Sequence, residues 1–125
     1  DPSAGFIGSA MTQSSGIFTF PSTGIYLIST VFDFSATGSA IAQADVKIHT
    51  TTDNSSYDQT TANYVSCAQG ALTAGYSQHI FDVTNTTTHK CKFIITSLAS
   101  NNRLLGSAAG NLQHTKFTFM KLGNT

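Results

Sequence analysis

A chain of 125 residues matches one domain in size and can bury a core without help from a metal or a cystine framework. Only 10% of its residues are charged, none is Glu, and the formal net charge is zero, so electrostatic capture of nucleic acid or of an anionic membrane has little to act through. No apolar run approaches the roughly 18 residues that span a bilayer, and no basic-then-apolar leader opens the chain, which reads as soluble and without membrane insertion. Because it starts at Asp1 rather than Met, residues 1–125 are expected to be a single domain excised from or processed out of a longer chain.

No window combines a 3.6-residue apolar period with helix caps, and the chain reads as all-β. Taken in order, the expected strands are Ala4–Met11, Gly16–Phe20, Gly24–Phe34, Ala42–Thr50, Asn63–Ala68, Tyr76–Val83, Lys90–Ser97 and Thr115–Leu122. Clusters of Gly, Ser, Thr and Asn bound each of them. Eight such strands suggest a sandwich of two antiparallel sheets. The polar stretch Thr50 to Ala62 and the segment Ala99 to Asn111 are the main expected loops, where a binding surface on such a scaffold would sit.

The second and third strands form the most informative stretch. Pro21-Ser22-Thr23-Gly24 has the chemistry of a reversal, since proline presets one turn dihedral and glycine accepts a positive one, so the flanking runs read as a hairpin. Alternation then puts Tyr26, Ile28, Thr30, Phe32 and Phe34 on one face, with Ile25, Leu27, Ser29 and Val31 on the other. Neither face is polar. An antiparallel strand normally keeps one solvated side, so the second apolar face calls for cover by another sheet or another subunit.

Motifs that carry chemistry are few. His49, His79, His89 and His114 lie in four different segments without the spacing of a zinc site, and no Gly-x-Ser-x-Gly or paired-carboxylate pattern marks a catalytic centre. The chain is therefore expected to be non-enzymatic and to need no cofactor. Asp53, Asn54 and Asp58 offer the oxygen ligands that calcium prefers, yet the spacing lacks the EF-hand order and its bidentate glutamate, and a solvated turn is the favoured reading. Cys67 and Cys91 follow the inward alternation of their strands and read as buried free thiols in preference to a bridge. Asn54-Ser55-Ser56 and Asn85-Thr86-Thr87 fit the N-glycosylation pattern. Tyr57, Asn54 and Arg103 are the surface-binding candidates, with Tyr64 and Tyr76 expected to pack at strand ends.

The run Gly16-Ile-Phe-Thr-Phe-Pro-Ser-Thr-Gly-Ile-Tyr-Leu-Ile-Ser resembles the G-x-F-x-x-P-x-x-G-x-Y-x-F signature of the C1q/TNF-like jelly-roll family, and Thr115-Lys-Phe-Thr-Phe-Met-Lys-Leu-Gly resembles its aromatic final strand. Between Phe81 and Ile95 the family's customary Gly-Asp is absent. That departure, with the Asn/Thr-rich turns, is closer to the C1q-like domains of phage and other viral structural proteins than to complement and cytokine members. The resemblance implies a ten-stranded, two-sheet jelly roll assembling as a homotrimer. Phe18, Phe20, Tyr26, Ile28, Phe32, Phe34, Phe117 and Phe119 would then supply core and trimer interface. The function this implies is a structural and binding module of a virion or extracellular fibre-like protein, meeting a host-surface protein or glycan. A capsid-decoration protein without a receptor, joining capsid or fibre proteins, and a secreted signalling ligand are the alternatives.

Overall fold

The computed structural model describes residues 7–107 and 113–125. Nine strands are present among them: β1 (Thr12–Ser14), β2 (Ile17–Thr19), β3 (Gly24–Ser35), β4 (Ile41–Thr51), β5 (Asp58–Cys67), β6 (Leu72–Val83), β7 (Lys90–Thr96), β8 (Arg103–Leu104) and β9 (Lys116–Gly123). They form a sandwich of two antiparallel sheets. One sheet runs β1-β2-β7-β4-β5; the other places β6 on one edge of β3, with β8 and β9 sharing its other edge.

The Pro21–Gly24 reversal corrects the expected hairpin. Both edges of β2 are occupied, by β1 and β7, while β3 pairs with β6, β8 and β9, so the bend carries the chain from one sheet to the other. Turn chemistry specifies that the chain reverses; which sheet receives it depends on partners distant in sequence. At Gly24, with φ of 145°, an added Cβ would run into the Lys121 side chain and the Gly123 carbonyl, and only glycine brings the chain in beside β9.

Other boundaries move for similar reasons. Of the expected strand Ala4–Met11, residues 4–6 lie outside the described part, and residues 7–11 hold no strand; the first strand, β1, is fully exposed and polar. β5 starts at Asp58, well before Asn63, because edge pairing with β4 (Thr50 to Asp58, Ile48 to Thr61) recruits polar residues that no apolar pattern marks. Leu72–Gly75 extend β6, aligned with β3 from Phe32 to Ser35. Arg103–Leu104 add a short strand inside an expected loop, whose residues 108–111 lie outside the described part.

The inner face of β3 is buried throughout: Tyr26, Ile28, Thr30, Phe32 and Phe34 expose at most 4% of their surface. Two apolar clusters fill the sandwich. Phe20, Tyr26, Ile28, Ile48, Phe81, Val83 and Cys91 make one; Phe32, Phe34, Ala36, Ile41, Ala44 and Val46 make the other. A belt of hydroxyls crosses between them, where Thr61 bonds Ser77 from sheet to sheet and Thr30 Oγ1 donates to the Lys116 carbonyl at 3.1 Å. Phe93 touches both clusters and stacks on Phe117 with ring centroids 4.3 Å apart. Gly75 lets the sheets close in, since a Cβ there would stand 2.5 Å from Val46 Cγ2. Each fully buried Ile or Phe of this kind is worth about 1.5–3 kcal/mol of transfer free energy.

Candidate functional site

The two sheets present different outer faces. On the five-stranded sheet it is polar. Asp45 accepts hydrogen bonds from Gln43 Nε2 (2.6 Å), Thr96 Oγ1 (2.7 Å) and Ser97 Oγ (3.2 Å), and Lys47 Nζ lies 3.2 Å away. The Gln43 and Thr96 bonds lead in holding its carboxyl down at about 2. Beside it, burial leads in lowering the His49 pKa, with Lys92 and Lys47 adding like-charge repulsion. His49 Nε2 and Tyr57 Oη are buried there without a hydrogen-bond partner among the described residues.

The outer face of the other sheet carries apolar side chains on either side of a neutral polar row. Antiparallel register sets its side chains in cross-strand rows: Ile80–Leu27–Met120, then Gln78–Ser29–Thr118, then Tyr76–Val31–Lys116. Ile80 is 61% exposed, Met120 53% and Tyr76 50%, while Ile25, Leu27 and Val31 are half-buried between their neighbours. Leu72 and Leu122, near the ends of β6 and β9, are exposed as well. Tyr76 Oη donates to Gln78 Oε1 at 2.7 Å, so the middle row is neutral and hydrogen-bonded. Charge is confined to the margins, with Asp82 in the row of Ile25, Lys116 beside Val31, and Asp33 paired with His114 at 3.1 Å. Among the described residues no element packs over this face. The alternation of Leu72, Ala74, Tyr76, Gln78 and Ile80 carries its β6 half, of which a strand begun only at Tyr76 omits the first two.

The aromatic candidates for core and interface all point into the sandwich. Phe20, Tyr26, Ile28, Phe32 and Phe34 are buried there, Phe18 and Phe119 pack against the same core, and Phe117, although 40% exposed, stacks on Phe93. They build the core; the open face belongs to the side chains that alternate with them.

The tyrosine ranking reverses. Tyr57 is half-buried, Lys92 Nζ sits 4.1 Å over its ring, and burial pushes its hydroxyl pKa up, whereas Tyr64 and Tyr76 are exposed. A long polar loop suggested an exposed tyrosine, but extension of β5 back to Asp58 shortens that loop and draws Tyr57 onto the sheet. Arg103 is exposed on β8, where it pairs with Ser35.

Asp53 is engaged by its own loop. Its Oδ1 accepts from the Ser55 and Ser56 amides and from Thr51 Oγ1, each at 2.8 Å, and these bonds, the amides first, hold the carboxyl well below the usual range. Asn54 beside it is exposed in the left-handed region with φ of 61°, and Asp58 begins β5. At the other sequon, the exposed Asn85 accepts from the Thr87 amide at 2.8 Å. His89 is buried against Phe81 between the Thr84 and Thr88 hydroxyls. No group of three or more His, Cys, Asp or Glu among the described residues is placed to hold a metal. Both cysteines are free: Cys67 pairs with Ile41 at one end of β4 and Cys91 with Thr50 near the other, far beyond the roughly 7 Å Cα separation a bridge tolerates.

No protein-family model matches this chain, and no curated protein matches it.

Proposed function

We propose that the chain is a non-enzymatic, homotrimeric jelly-roll module of a virion or extracellular fibre-like protein, with assembly through the outer face of the β6–β3–β9 sheet and contact with a host surface through what assembly leaves open. The observation that carries this reading is the surface itself: Ile80, Leu27 and Met120 in one row and Tyr76 with Val31 in another flank a neutral polar row, on a strand surface that an isolated chain would keep in water. Its rows are neutral at the centre and charged only at the margin, the pattern of a surface that associates by burial rather than by ion pairing. Closed cyclic symmetry covers such a face on every copy at once, and an open arrangement would leave one always exposed.

Support for the jelly roll comes from the strand order, in which β2 and β3, adjacent in sequence, fall in different sheets and the last strand returns to pair with β3. The threefold number rests on the C1q-like signature from Gly16 to Ser29. Sedimentation velocity at micromolar concentration tests the reading directly. A trimer is expected for the wild type, with dissociation in Leu27→Asp and Ile80→Asp; a wild-type chain that stays monomeric overturns it.

A further inference from the structure

The two methionines of the chain stand in opposite settings. Met11, just before β1, is half-buried against the first apolar cluster, beside which Phe18, Phe93 and Phe119 also pack. Met120 lies on β9 in the cross-strand row Ile80–Leu27–Met120 and is 53% exposed. Phe119, its neighbour in sequence, packs against the core, so strand alternation turns Met120 to the outer face.

Of the side chains in that row, only the thioether is open to oxidation. A two-electron oxidant such as hydrogen peroxide meets its sulfur directly. A sulfur lone pair attacks one peroxide oxygen, an S–O bond forms, the O–O bond breaks and water leaves, so the sulfur gives up two electrons and the peroxide takes them. The sulfoxide is polar and accepts hydrogen bonds, where the thioether was apolar and flexible. The thiols compete poorly. Cys91 is buried and holds its proton, and a sulfenic acid or disulfide at the half-buried Cys67 is reversed by a thiol reductant that leaves a sulfoxide in place.

We propose that Met120 is an oxidation-sensitive modification site, at which a peroxide-class oxidant converts the thioether to a sulfoxide and so switches off association of the chains. The inference rests on the proposed assembly through this face and names its regulation. Because the side chain is turned away from the core, β9 keeps its pairing with β3 and the change is confined to the surface. Assembly would have to bury one sulfoxide from every copy. Each one left without a donor weakens association about tenfold, and three in one trimer weaken it about a thousandfold. Closed assembly covers the sulfur, so the switch acts on chains that have not yet associated.

The test joins peptide-resolved mass spectrometry to sedimentation velocity of the full chain. Protein at nanomolar concentration is treated with hydrogen peroxide, reduced with dithiothreitol and concentrated to the micromolar range. Wild type should gain one oxygen at Met120 well before Met11, keep its circular dichroism spectrum and sediment as a monomer, and methionine sulfoxide reductases A and B should restore the trimer. Met120→Leu, which keeps the row apolar and offers no sulfur, should stay trimeric after the same treatment, and Met11→Leu should behave as wild type. The proposal is overturned by earlier oxidation of Met11, by an oxidised wild type that remains trimeric, by reductases that fail to restore assembly, or by loss of the trimer in treated Met120→Leu. A chain monomeric before any oxidant is added defeats the assembly reading and the switch with it; a trimer indifferent to sulfoxide at Met120 defeats the switch alone.

Discussion

Asp45 and His79 set two separate acid responses. The folded-state carboxyl of Asp45 titrates at about 2, against an unfolded value near 4, so its contribution is complete above about pH 4 and disappears as the pH falls toward 2. Melting temperatures of wild type and Asp45→Asn should therefore differ at neutral pH and converge near pH 2. His79 is shifted down by burial, which disfavours its charged form; stability is full above its unfolded value of about 6.5 and declines as the pH drops below it. His79→Gln is expected to make that first decline shallower, His49 supplying the remainder, and to leave the Asp45 window unchanged. The thiols make a third contrast. Burial pushes Cys91 up to about 12, so Ellman's reagent should label Cys67 in the native protein and reach Cys91 only after unfolding. Two free thiols on denaturation are expected, and a count of zero would contradict the free cysteines of the structure.

Among elements, β3 was the most legible in the sequence, because strict alternation from Tyr26 to Phe34 announces its inner face whatever its partners are. Its neighbours were harder to read. Pro21-Ser22-Thr23-Gly24 looks alike whether it closes a hairpin or crosses between layers, and only the non-local pairing of β2 with β7 decides. β1 and the first half of β5 are polar edge segments whose strand character comes from a partner's free hydrogen-bonding groups, a cause that no local pattern carries. The candidate site was half visible: Ile25, Leu27 and Val31 advertised an apolar outer face, but Ile80 and Met120 join it only through register. Register also explains Gly75, opposite Phe32 with Val46 and Val65 against it. Gly75→Val should overpack that contact and cost about 1–3 kcal/mol in chemical denaturation, whereas valine at the exposed Ser66 on β5 should change stability little.

On the scale of the whole molecule, the difference between the two outer sheet faces predicts how association responds to solution conditions. In the proposed trimer, contacts made by Leu27, Val31, Ile80 and Met120 would involve no charge, so its dissociation should change little between about 0.05 and 0.5 M salt, where screening would weaken ion-paired interfaces. Analytical ultracentrifugation across that range checks it, and a steep salt dependence would move the interface to the charged margin.

The pairing of β3 with β9 has a temporal consequence. Within this domain β3 leaves the ribosome before β9, so the strand that anchors the smaller sheet waits, with its edge from Ile25 to Val31 unpaired, for a partner made much later. Contacts so distant along the chain make folding slow and expose the nascent chain to aggregation and chaperone capture in the interval. Ribosome-stalled chains that end before Lys116 should be cleaved readily by protease, and those extended until Gly123 is free should resist it.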